Sequence, residues 1–285
     1  MREFQSAIKD ALDARIVEIE RQMNSDVITL YGAINTQLEY MFPSIIEKLK
    51  GEKTELSIIL ETPGGSAEIV EHLVNIIRYH YNKVNFIIPN QAMSAGTIFA
   101  MSGNKIFMEY SSVLGPIDPQ VWNGQNWVPA LGYLEKYKKL MDKASEDKIS
   151  DAEFALLCKL DLAEISNYEQ QSGLTVTLLK KWLVKYKFEN WGIHQSDPEL
   201  KGQPVTHEQK EKRAEEIATD LGNNERWHSH NRKIDLKSLQ ELKLYIDDYS
   251  EKEQLRNAVR RYFEMMLEYV LTNNVVNFVH HRNYI

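Results

Sequence analysis

Four short runs of mostly β-branched apolar residues, separated by stretches of helical periodicity, constrain this chain more than any other feature. They are 26–32 (DVITLYG), 56–60 (LSIIL), 84–88 (VNFII) and 105–108 (KIFM). A strand with one wet face alternates apolar and polar residues, whereas a run apolar throughout is covered on both faces. Positions 37–50 and 67–81 carry apolar residues at helical spacing, with Ile69, Leu73, Ile76 and Ile77 on one face of the second. Ile8, Leu12, Ile16, Ile19 and Met23 predict an amphipathic helix before the first run. Strand and helix alternating through short loops predict an α/β fold whose mainly parallel sheet is sandwiched by helices.

That alternation holds to about residue 120. Beyond Trp127 the strand signal disappears, and helices are expected over 129–148, 151–168, 174–186, 208–222 and 251–276. The polar stretch 193–206, with Pro198, Gly202 and Pro204, is the best linker candidate. The expected division is an N-terminal helix (1–25), a core (26–190) and a helical C-terminal extension (191–285).

Composition excludes several functions. A net charge of −7 argues against nucleic acid as partner. The single cysteine, Cys158, rules out an intrachain disulfide or a cysteine-based metal cluster, and its apolar neighbours predict burial. No metal site is expected, since His228 and His230 have no third ligand at suitable spacing. No phosphate-binding loop is present, and no cofactor is expected. The charged N-terminus has no apolar signal core, and no run nears the ~20 apolar residues of a membrane span, so a cytoplasmic address is expected. The remaining histidines (72, 80, 194, 207, 280, 281) read as scattered surface or helix residues.

Two glycine-bearing turns carry the chemistry. The first, Thr62-Pro63-Gly64-Gly65-Ser66, lies between a strand and a helix. Its glycines let the backbone turn tightly and leave N–H groups free to face a ligand, which nominates Gly64 and Ser66 for substrate binding. The second, Met93-Ser94-Ala95-Gly96-Thr97, places a serine at a helix N-terminus, where the helix dipole favours a developing alkoxide. The Ala95 N–H, with that of Gly65, could then bind an oxyanion. Taken singly, such features are ordinary turns and caps; one helix and one strand apart, they are far more specific.

Together with Leu114-Gly115-Pro116-Ile117-Asp118-Pro119, these segments resemble the superfamily of ClpP and signal peptide peptidase A, and within it the serine dehydrogenase proteinases. The resemblance is strong over 26–128 and continues weakly to Trp227-His228-Ser229-His230-Asn231-Arg232. It implies a ClpP/crotonase-like ββα superhelix with a helical C-terminal part, and peptide hydrolysis through an acyl-enzyme on Ser94. It further implies an oxyanion hole from Gly65 and Ala95, Gly115 at the substrate, and self-assembly into a homo-oligomer. Peptide or protein substrates are the implied partners; membrane association fits the superfamily, but the sequence offers no anchor.

The general base is left open. The ClpP-type histidine after the nucleophile helix is missing, and Asp118 stands in that segment. Ala130 or Leu131 falls where the relatives carry a dyad lysine. A charged helix offers Lys136, Lys138, Lys139 and Lys143, of which Lys139 is carried as a candidate. His230 is the other candidate, within a Ser-His-Asn-Arg element where the relatives read Ser-His-Gly-Arg. Asp118 could orient a base, bind the substrate backbone or shape the Gly115-Pro116 turn. The alternative functions are an inactive pseudo-peptidase scaffold and a crotonase-type acyl-CoA enzyme. The latter lacks the carboxylate pair it would need near Gly115.

Overall fold

The computed structural model describes residues 2–51, 53–122, 125, 127–195 and 198–284, without the side chains of 2–5 and 127. In chain order the first half runs α1 (Arg2–Met23), β1 (Asp26–Tyr31), α2 (Thr36–Leu49), β2 (Glu55–Glu61), α3 (Ala67–His80), β3 (Lys83–Ile88), β4 (Gln91–Ala92), α4 (Ala95–Met101), β5 (Lys105–Met108) and β6 (Val113–Leu114). A hairpin follows, β7 (Gln120–Trp122) and β8 (Trp127–Pro129), then α5 (Ala130–Ser145), α6 (Asp151–Leu157) and α7 (Leu162–Trp182), extended by a π-helical turn over Leu183–Lys187. The remainder is α8 (His207–Gly222), α9 (Asn224–Trp227), β9 (Ile234–Asp235), α10 (Leu236–Glu241), β10 (Asp247–Asp248), α11 (Glu253–Thr272) and β11 (Phe278–His280).

The main sheet has the order β10-β5-β3-β2-β1-β11, parallel except for β11, which runs antiparallel to β1. Successive residues of a strand face opposite ways, and here both faces are covered. Val27, Ile59, Ile87 and Phe107 point toward α1 and α11, and Leu12, Ile16, Val259 and Met266 close that layer. Their neighbours Ile28, Ile58, Phe86 and Ile106 face the larger layer, which includes α2, α3, α4, α7 and α8. This double burial is why the strands read as unbroken apolar runs. A second sheet, β4-β6-β9, packs Leu114 and Ile234 into the larger core.

The α/β class expected from the sequence is what the structure has, with four corrections. Strands do occur beyond Trp127: β10 and β11 form both edges of the main sheet, and β9 completes the second. At two or three residues each, they are too short to leave a periodic signal. The helices expected over 151–168 and 174–186 are divided differently. The chain breaks after Leu157, restarts with Asp161 accepting from the Ala163 N–H at 2.8 Å, and runs unbroken through Gly173. A Cβ at Gly173 would meet nothing within 4 Å, so the open position tolerates a helical glycine. Cys158 is exposed, because α6 buries none of its residues. His194, His280 and His281 are buried rather than scattered on the surface.

Candidate active site

The two glycine-bearing turns lie side by side at the carboxyl ends of β2 and β3, the edge where open α/β sheets present ligands. Main-chain bonds fix this juxtaposition: Thr62 N–H donates to Gln91 O (3.1 Å) and Met93 N–H to Thr62 O (3.0 Å). Upstream, the buried Glu61 carboxylate accepts from Asn90 Nδ2 (2.8 Å) and Gln91 N–H (2.9 Å), pinning the turn that leads into β4. Burial pushes the Glu61 pKa up from its ordinary value, against those hydrogen bonds.

Gly64 and Gly65 have φ of +113° and +152°, a region L side chains rarely adopt. The space is closed as well. A Cβ on Gly64 would sit 2.9 Å from Ser94 Cβ, and one on Gly65 would sit 2.0 Å from Ile34 O. Ile34 N–H donates to Gly64 O (2.9 Å) and Ser66 N–H to Ile34 O (3.1 Å), which turns the Gly65 N–H to the other side of the strand-like segment. Ser66 caps α3, accepting from Ile69 N–H at 3.2 Å and donating to Glu68 at 2.7 Å.

Ser94 stands at φ +52°, ψ −119°, immediately before α4. A positive φ on a non-glycine residue is a strained conformation that persists only where its surroundings impose it. Its carbonyl accepts from Thr97 N–H (2.8 Å) and Ile98 N–H (3.2 Å), while its part-exposed side chain makes no hydrogen bond among the described residues. Neither the Ala95 nor the Gly65 N–H donates to another group among the described residues. Two open donors beside a hydroxyl make an anion-binding corner of the kind that stabilises a tetrahedral oxyanion.

A third segment completes the cluster. Buried Thr97 Oγ1 accepts from Gly115 N–H (2.9 Å) and lies 2.8 Å from Ala92 O, joining α4 to the loop after β6. Gly115 lies so close to Met93 that an added Cβ would meet Met93 Cα at 3.2 Å. Three residues on, Asp118 is 1% exposed, and its carboxylate accepts from Gln120 Nε2 at 2.8 Å. Its other oxygen lies 2.9 Å from His230 Nδ1. The β6–β9 pairing, Val113 with Asp235 and Leu114 with Ile234, draws the 228–232 segment to this loop. His230 Nε2 has no partner among the described residues.

The structure therefore brings together Gly64, Gly65, Ser94, Ala95 and Gly115 in one cluster, and Asp118 with His230 at its margin. Lys139 stands apart, exposed on α5 with no hydrogen bond or ion pair among the described residues, and Lys143 pairs with Glu153 at 2.5 Å. Glu61, Thr97 and Gln120 also shape the site. Thr97 lay within the second glycine-bearing turn, whereas nothing in the sequence singles out Glu61 or Gln120.

A parallel sheet presenting a strained serine and two open main-chain donors at its carboxyl edge belongs to the ClpP-like class of α/β folds. The model of the ClpP-like SDH-type serine proteinases matches residues 5–192, more than half of the chain, and the protein is a member of that family. His230 lies outside the matched residues; Ser94, Asp118 and Lys139 lie within them. The chain is similar to an uncharacterized protein of Methanocaldococcus jannaschii, 35% identical over 102 residues, 36% of this chain and 34% of that protein. A second uncharacterized protein of that organism is 30% identical over 115 residues, 40% of this chain and 37% of its own length. These matches span just over a third of the curated relatives. Among solved structures, the chain is similar to the ClpP protease catalytic domain from Plasmodium falciparum, at 19% identity over 31% of this chain and 53% of that one, TM-score 0.28. It is also similar to a membrane-bound stomatin-specific protease, at 18% identity over 56% of this chain and 75% of that one, TM-score 0.33. No helix among the described residues is long and apolar enough to cross a membrane.

Proposed function

We propose that this member of the family is an active serine peptidase, with Ser94 as nucleophile, His230 as general base and Asp118 as the residue that orients it. The observation that carries this reading is the 2.9 Å contact between Asp118 and His230 Nδ1. A buried carboxylate accepting from Nδ1–H leaves the lone pair on Nε2, the tautomer a general base needs. His230 Nε2 then takes the Ser94 hydroxyl proton as Oγ bonds to the scissile carbonyl carbon. The carbonyl oxygen, now an oxyanion, accepts from the Gly65 and Ala95 N–H groups. The imidazolium returns the proton to the leaving amine, the C–N bond breaks, and the acyl-enzyme on Ser94 is hydrolysed by water activated at the same imidazole. Lys139, exposed on α5, is not needed in this scheme.

Substrates are peptides or proteins, and the working form is a homo-oligomer. Labelling with a fluorophosphonate probe tests the assignment. Wild type and Lys139→Ala should label, whereas Ser94→Ala should not react and His230→Ala should react about 10³-fold more slowly or less. A well-folded wild type that does not label would sink the reading in favour of an inactive scaffold. Slow labelling of Lys139→Ala with normal His230→Ala would move the base to the lysine.

A further inference from the structure

A cavity of about 310 Å³ lies against the Asp118 loop, walled by α5, α7, α8 and α9. The loop that forms one wall is held at both ends: Ile117 N–H donates to Leu221 O (3.0 Å), and Ala130 N–H donates to Pro119 O (2.9 Å). Its apolar walls include Ile117 and Ala218, fully or nearly buried, and part-buried Val176. Polar groups interrupt these walls at Asp118, Ser172, Thr175, Thr219, Asn223 and Asn224. Thr175 is 5% exposed and lines the cavity, yet its hydroxyl has no hydrogen-bond partner among the described residues. With no such partner, that hydroxyl opens into the cavity, where a bound group can pair with it.

The mouth is acidic. Glu135 of α5 and Glu225 of α9 line it, both exposed, and neither makes an ion pair or hydrogen bond among the described residues. No lysine or arginine lines the cavity among the described residues, and neighbouring Arg226 is held by Asp220 at 2.8 Å. Unpaired carboxylates above a chamber with apolar walls and polar groups between them are complementary to a side chain with a methylene stem and a cationic head.

We propose that this cavity receives a lysine or arginine side chain of the peptide substrate beside the scissile bond, making Glu135 and Glu225 specificity-determining residues. The proposal rests on the peptidase reading, because Asp118 joins the cavity to His230. Gly115, packed against Met93, is three residues from Asp118, so at most about 11 Å of chain separates the Ser94 turn from the cavity wall.

The test uses the full chain and fluorogenic peptides that differ only in carrying Lys, Arg, Leu or Glu before the cleaved bond. Wild type should favour Lys and Arg by about tenfold or more in kcat/KM. Glu135→Gln/Glu225→Gln should lose that preference, and Glu135→Lys/Glu225→Lys should turn it toward Glu. Equal cleavage of the Leu peptide by wild type, or a basic preference retained in the Gln variant, overturns the proposal. Thermal shift with benzamidine, against uncharged benzamide, in a Ser94→Ala background separates this from the peptidase reading. Stabilisation by benzamidine that vanishes with the two Gln substitutions supports the cation site even if no peptide is cut. Cleavage without basic preference and without a benzamidine shift removes the cavity assignment and leaves the peptidase standing.

Discussion

At Ser94 and its neighbours, the proposed chemistry rests on backbone geometry as much as on side chains. The positive φ of Ser94 and the two glycines facing it leave main-chain N–H groups open beside the hydroxyl, and neither glycine has room for a Cβ. Asp118 has three sequence-level readings: orienting residue, substrate contact or turn former. Asp118→Asn separates the first from the last, because an amide supports a turn as well as a carboxylate does but can donate to Nδ1 and hold the wrong tautomer. Fluorophosphonate labelling should slow by about 10²–10⁴-fold with unchanged circular dichroism. An unchanged rate would return Asp118 to a turn-forming role.

At the scale of elements, β11 closes the sheet with a buried histidine pair. His280 bridges Tyr262 (2.9 Å) and Asp13 (2.9 Å), tying the strand to α11 and α1. His281 is fully buried, its Nδ1 accepts from Asn283 N–H (3.1 Å), and its Nε2 has no partner among the described residues. Burial, then the nearby His280 and Arg282, push its pKa down to about 4. In the unfolded chain it titrates near 6.5. A folded value below the unfolded one means the unfolded state binds the proton first. The stability associated with neutral His281 is therefore full above about pH 6.5 and is lost as pH falls from there toward 4. Thermal unfolding of wild type and His281→Gln between pH 8 and 4 checks this. The wild type should lose stability relative to the variant as pH falls below about 6.5, and parallel curves would refute it.

Over the whole molecule, the family-matched residues 5–192 do not close the fold. Without the residues beyond 192, the main sheet has no β10 or β11, one face has no α11, and Ile59, Ile87 and Phe107 lie open beside α1. A fragment ending at residue 192 should fail to unfold cooperatively in urea and should bind a hydrophobic dye, while the full chain shows one sharp transition. A cooperative, dye-free fragment would show that the C-terminal elements are dispensable to the core. The same elements bring His230 to Asp118, so the fold and the proposed base depend on one segment of chain.

The sequence by itself determined the parallel core and the corner of glycines and Ser94. Strands buried on both faces must be apolar at every position, and a strand-to-helix turn with close main-chain approach needs its glycines locally, so each signal lies within a few residues. Tertiary structure alone decided the edges and the partnership at the site. Edge strands β9, β10 and β11 are two or three residues long, which is below any periodic signal, and long-range pairing selects them. Cys158 and the buried histidines depart from expectation because local sequence reports what a segment is made of, whereas burial depends on what packs over it. Asp118 and His230 lie 112 positions apart, and long-range ties, the pairing of β6 with β9 and the bond from Ile117 N–H to Leu221 O, bring them into hydrogen-bond range.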